Sequence, residues 1–130
     1  MDPFDLPGPV RLARNTLAVL ALLVLACGLF LVAGVVLVVA ADPTLGSDGW
    51  LSGVVFAVPV AVVWLLSVAV HGGAGFMLHR SLVAGRWLAL FVGIVWLASP
   101  LFFVGLLLIW CMIGDQETRA WWSEIGALSG

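Results

Sequence analysis

The sequence predicts an all-α integral membrane protein with three transmembrane helices, and three observations carry that prediction. Uncharged apolar stretches cover residues 17–41, 50–70 and 87–113, and each is long enough to cross a hydrocarbon core of roughly 30 Å, which takes about 20 helical residues. Hydrophobic residues make up 64% of the chain and charged residues 9%, too few polar groups to give soluble helices a wet face. The five cations, all arginine, are unevenly shared among the flanks. A single membrane domain, 1–130, with no appended soluble module is expected.

Taken in order, residues 1–14 contain Pro3, Pro7 and Pro9. Proline denies a regular helix its donors, so an irregular cytoplasmic segment is expected, with Phe4 and Leu6 dipping into the interface. Helix one is expected over 16–41, with Asn15 or Thr16 as its N-cap and Asp42-Pro43 as its stop. The short outer loop that follows makes helices one and two an adjacent antiparallel pair. Helix two is expected over 50–71, entering at Trp50, kinked at Pro59 and dissolving at His71-Gly72-Gly73-Ala74-Gly75. Helix three, 87–113, would measure about 40 Å at 1.5 Å per residue, so it must tilt or bend, and Ser99-Pro100 supplies the bend. Two spans split at Pro100 would each be too short, so one bent helix is expected. The tail, 114–130, carries Trp121, Trp122, Ile125 and Leu128 between charged residues and reads as an amphipathic segment on the outer surface. Trp50, Trp87, Trp121 and Trp122 are the expected interfacial anchors.

Charge sets the orientation. Arg11 and Arg14 precede helix one, and Arg80 and Arg86 separate helices two and three. The other flanks carry Asp42, Asp48, Asp115, Glu117 and Glu124 against Arg119 alone. Arginine concentrates in cytoplasmic loops, which predicts an N-in/C-out, multi-pass protein of a cell membrane, prokaryotic inner or plasma membrane. The first apolar run is too long for the 7–15-residue core of a signal peptide, so it is read as a retained span. Cys27 and Cys111 would differ in depth by roughly 20 Å, too far for a disulfide.

Small residues form stripes. Gly53, Ala57 and Ala61, then Ala69 and Gly73, keep a four-residue register on helix two, and Ala26, Ala33 and Ala40 repeat by seven on helix one. Such spacing lets backbones approach closely where no hydrophobic effect drives association. Trp96, Phe103 and Trp110 form a bulky stripe at the seven-residue period. It packs within the bundle, faces lipid, meets another membrane subunit, or lines a groove for a flat hydrophobic ligand such as a quinone, carotenoid or chlorin pigment.

His71 and His79 are the only histidines. No matching ligand lies on helices one and three, so intrachain haem fails, and no metal or cofactor is predicted. No nucleophile, base and orienting group are spaced for catalysis, so no enzyme is expected. No Asp, Glu, Lys or Arg lies within a span to mark an ion path, and a net charge of −2 without a basic cluster argues against nucleic acid. The expected role is a non-catalytic accessory or scaffolding transmembrane subunit that stabilises a larger membrane complex, with membrane lipids and other subunits as partners. The alternative is a self-associating, pore-forming or holin-like protein. A binder of a hydrophobic cofactor or lipid is a further reading.

The C-terminal third resembles a set of small, uncharacterised bacterial multispanning proteins. The residues that carry the likeness are Arg86-Trp87, Ser99-Pro100-Leu101, Leu108-Ile109-Trp110 and Glu117-Thr118-Arg119-Ala120-Trp121. The resemblance implies a Pro-kinked last span after an Arg/Trp turn. It implies no activity.

Overall fold

The computed structural model describes residues 5–41, 44 and 47–129, except for the side chains of residues 40, 47, 48, 50, 52, 56 and 129. The expectations placed on Phe4, on the Asp42-Pro43 stop and on the Ala40, Asp48 and Trp50 side chains lie outside the described residues. Every regular element among those described is helical: α1 (Gly8–Ala41), α2 (Ser47–His79), α3 (Val83–Leu97), α4 (Phe102–Ile109) with a π turn (Trp110–Gly114), and α5 (Gln116–Ser129). The chain forms two compact units, one of Ala21–Ala69 and the other of the remaining N- and C-terminal parts. Two helices, α1 and α2, are long and apolar enough to cross a membrane.

Helix α1 starts eight residues before the expected position. Pro9 sits in its first turn, where a missing N–H costs nothing because those donors have no intrahelical partner. The Arg11 N–H donates to Pro7 O at 3.0 Å. Leu6, Val10, Ala13, Leu17 and Leu20 are buried, steps of four and three that bring one helical stripe onto the core. The irregular segment expected over 1–14 is thus helical from Gly8.

Helix α2 also outruns its expected end. It passes through Pro59 and the Gly72-Gly73 pair and stops at His79. Here packing overrides propensity: Ala74 and Leu78 are fully buried, and Gly75 faces α1, where a Cβ would sit 3.5 Å from Arg14 O and 3.6 Å from Leu17 Cβ. The stop is a Schellman turn. Ser81 adopts φ 56°, its N–H donates to Leu78 O at 3.1 Å, and the Leu82 N–H donates to Met77 O at 2.9 Å, the paired bonds that close such a terminus. Serine does here what glycine does without steric cost.

The third expected helix is two helices. After α3 the chain turns at residues 98–101 and folds back, so that Gly105 lies against Trp96 and Leu97 while Gly93 lies against Leu108 and Ile109. This is the register of an antiparallel hairpin. A Cβ on Gly105 would collide with Gly93 O and stand 2.8 Å from Leu97 N, so the approach depends on glycine. Ser99 seals the turn: its hydroxyl donates to Trp96 O at 2.7 Å and accepts the Leu101 N–H at 3.1 Å. Pro100, which has no N–H to satisfy, makes the reversal rather than a bend. Ala89, Val92, Leu108, Cys111 and Met112 join the α1 and α2 residues in one core.

The fold-back also corrects the tail. Trp121 and Trp122, expected as surface anchors, are 1% and 4% exposed and belong to that core. Trp122 lies against Arg86, with the guanidinium carbon 5.6 Å from its ring centre. A tail separated from Arg86 by a membrane-spanning helix three does not fit this contact. Helix α5 keeps the expected amphipathic character, but its apolar face covers protein.

In the unit Ala21–Ala69, Trp64 joins α2 to α1. The Trp64 indole lies over Gly28, where a Cβ would fall inside the ring, and its Nε1–H donates to Val24 O at 2.7 Å. Most other large side chains of this unit are exposed.

Two predictions follow from these contacts. Gly105→Ala should destabilise the folded chain by about 1–3 kcal/mol, the usual cost of overpacking, whereas Gly34→Ala, with nothing within 4 Å of its Cβ, should not. Thermal unfolding in detergent reads the difference. Ser81→Gly should stabilise by about 0.5–1 kcal/mol, because a left-handed L-residue is strained and glycine is not; an unchanged or lowered midpoint would contradict the strain assigned to this turn.

Candidate functional site

The unit containing α3–α5 concentrates the chain's polar chemistry. All five arginines and both histidines belong to it. Its interior polar contact joins α2 to the hairpin: Trp96 Nε1–H donates to His71 Nε2 at 2.9 Å, with the rings edge to face and their centres 6.1 Å apart. Indole is only a donor, so Nε2 is the accepting nitrogen and the neutral ring carries its proton on Nδ1. His71 is 7% exposed. The bond ties the end of α3, next to the turn, to the α2 helix.

At the outer rim of the unit, Arg14 Nη1 lies 3.4 Å from His79 Nδ1, and Arg14 also donates to Asn15 Oδ1 at 3.0 and 3.2 Å. Arg80 stands over the Phe76 ring at 5.5 Å. Near the base of the hairpin, Asp115 starts α5: its carboxylate accepts the Thr118 N–H at 2.9 Å, and its carbonyl accepts the Arg119 N–H at 3.1 Å. A carboxylate at a helix start also opposes the helix dipole favourably.

The structure disperses the expected stripes. On α2, Gly53 and Gly73 are partly buried with open space where a Cβ would be, Ala61 is partly buried, and Ala57 and Ala69 are exposed. Ala26 and Ala33 of α1 are exposed too. The close approaches fall at Gly28, Gly85, Gly93 and Gly105.

The aromatic stripe is likewise broken by the turn. Trp96 bonds His71, while Phe103 and Trp110 are 58% and 51% exposed and stand on different elements. Trp87 is exposed. The signal that sequence reading passed over is Trp64: a tryptophan in mid-span, away from the interfacial belts, must find an acceptor for its N–H, which marks it as a packing residue.

Among the described residues no cluster of three or more His, Cys, Asp or Glu side chains is placed to hold a metal ion. Two concavities on α1 are open and apolar. One is lined by Ala26, Cys27, Phe30 and Leu31, and the other by neighbouring α1 residues including Gly34 and Val38. Comparison with family models, curated proteins and solved structures returns no match to this chain.

The His71–Trp96 bond has a measurable worth. Trp96→Phe and His71→Phe should each destabilise the unit by about 1 kcal/mol, and a double-mutant cycle should give a coupling of at least about 0.5 kcal/mol. Additive effects would mean that the two side chains act independently.

Proposed function

We propose that the chain is a non-catalytic membrane subunit that crosses the bilayer twice and serves as an accessory or scaffold for a larger assembly. One observation carries this reading. The most apolar windows of α1 and α2 are almost wholly unburied by the chain itself, and the small-residue face at Gly53, Ala57 and Ala61 keeps room for another backbone. Inside lipid such a face gains from close packing against a further helix.

In this reading α1 runs outward and α2 returns, while the hairpin enters and leaves on one side. At 1.5 Å per residue, α3 is about 22 Å long, short of the roughly 30 Å that a crossing requires. The N-terminus, the connection through Arg80 and Arg86, and α5 then share the cytoplasmic face. That places all five arginines on the cytoplasmic side and leaves Asp42 and Asp48 outside, a stronger charge bias than an outward tail allows. The sealed turn at Ser99 suits apolar surroundings, since most of its donors are satisfied locally. The same open α2 face would also admit a second copy of this chain, which is the basis of the self-associating, pore-forming alternative.

Topology is tested by single-cysteine labelling in a Cys27→Ala, Cys111→Ala background. Thr44→Cys should react with an impermeant reagent from outside, and Leu82→Cys and Ser123→Cys should react only after the membrane is opened. Outside labelling of Ser123→Cys with protection of Leu82→Cys would restore a third crossing. Role is tested by native mass in mild detergent. An accessory subunit appears bound to other proteins and loses them on Ala57→Leu but not on the off-stripe Val62→Leu. A homo-oligomer supports the pore alternative, and a bare monomer defeats both.

A further inference from the structure

Where α5 packs on the start of α3, four hydrogen-bond donors are enclosed together without an acceptor. They are Arg86 Nε, Thr118 Oγ1, Trp121 Nε1 and Trp122 Nε1, and none has a hydrogen-bond partner among the described residues. Thr118, Trp121 and Trp122 occupy one turn of α5, at the spacing that shares a helix face, and are 0%, 1% and 4% exposed. The two indole rings are 4.6 Å apart, and Arg86 stacks on the second of them.

Buried donors are nearly always paired in proteins, so four of them in one place specify a complementary chemistry. Three N–H groups, a hydroxyl and a guanidinium charge call for an oxyanion. The acids at and within α5 do not supply it. The Asp115 carboxylate already caps α5, Glu117 and Glu124 are exposed, and Arg86 forms no ion pair among the described residues.

We propose that Arg86, Thr118, Trp121 and Trp122 form a phosphate-binding site that takes the headgroup of an anionic phospholipid. A phosphate presents several acceptor oxygens and matches the planar fork of arginine. Tryptophan provides an apolar body with a polar edge, the combination suited to the membrane interface. The lipid source is favoured by what continues from the site: Trp87, Phe91 and Ile94 are 66%, 57% and 60% exposed and lie along one face of α3, an apolar track for acyl chains. The donors are buried, so the phosphate reaches them by parting Arg86 from Trp122. The proposal rests on the membrane reading and is independent of the partner-subunit reading.

The test uses the full chain in mild detergent, titrated with phosphatidylglycerol, with diacylglycerol of the same chains, and with inorganic phosphate, and read by native mass spectrometry. Phosphatidylglycerol should be retained and diacylglycerol lost. Arg86→Gln should weaken retention about tenfold, as expected for one charge-assisted contact, while Arg11→Gln should not. Thr118→Val separates binding from folding. It should weaken phosphatidylglycerol binding yet leave thermal stability without lipid unchanged or raised, because it removes a buried unpaired hydroxyl. Displacement of phosphatidylglycerol by inorganic phosphate would support the phosphate site but reassign its source to a soluble ligand. Equal retention of diacylglycerol and phosphatidylglycerol, or retention unaffected by Arg86→Gln and Thr118→Val, would overturn the proposal.

Discussion

With only hydrogens at Gly93 and Gly105, the backbones of α3 and α4 touch, and that contact governs the arrangement around it. It turns a 27-residue apolar stretch, 87–113, back on itself, so that its two ends meet instead of lying a bilayer apart. Helix α5 consequently arrives beside the first turn of α3, where Trp121 and Trp122 complete a core begun by Leu6, Val10 and Leu17. The hairpin is fastened again at its far end by the His71–Trp96 bond. Dispersion between closely apposed backbones is small per atom but large in sum, and it holds equally in water or lipid.

The two units manage polarity in opposite ways. The unit Ala21–Ala69 has little polar chemistry to place, and the hydrogen bond from Trp64 to Val24 O satisfies an indole donor between its helices. The other unit carries every arginine and satisfies them unevenly: Arg14 by Asn15 and His79, Arg80 by an aromatic face, Arg86 by an aromatic face with its Nε unpaired. Cation–π contacts leave guanidinium donors available, unlike carboxylate pairs, which consume them.

The helical class and the apolar character of α1 and α2 were legible in the sequence because uncharged runs of that length admit few alternatives. Helix ends were less legible, and for a consistent reason. Pro9 and the Gly72-Gly73 pair are breakers by propensity, yet tertiary burial of Val10, Ala74 and Leu78 outweighs them. The Ser99-Pro100 turn was recognised as a break in direction but read as a bend. Length favoured one crossing, and nothing in hydropathy distinguishes a long helix from two short ones lying together. The glycines at 93 and 105 carried that information. Gly93 keeps a four-residue register with Gly85 and Ala89, but its pairing with Gly105 cannot be read from that register, since a hairpin pairs positions around a turn and not along one helix. The arginine and tryptophan cluster was visible only as separate anchors, because its members come together through the fold-back.

If the two long helices cross a bilayer as proposed above, the Trp64–Val24 bond has a consequence for how they answer a change in its thickness. A pair joined only by apolar contacts can shear, each helix sliding along the other to match its own apolar length to the surrounding lipid. Here a slide of one turn would carry the indole away from Gly28 and take its N–H from the Val24 carbonyl. In a bilayer, the cheaper response to hydrophobic mismatch would then be for the pair to tilt as a single rod, with the surrounding lipid deforming to follow it.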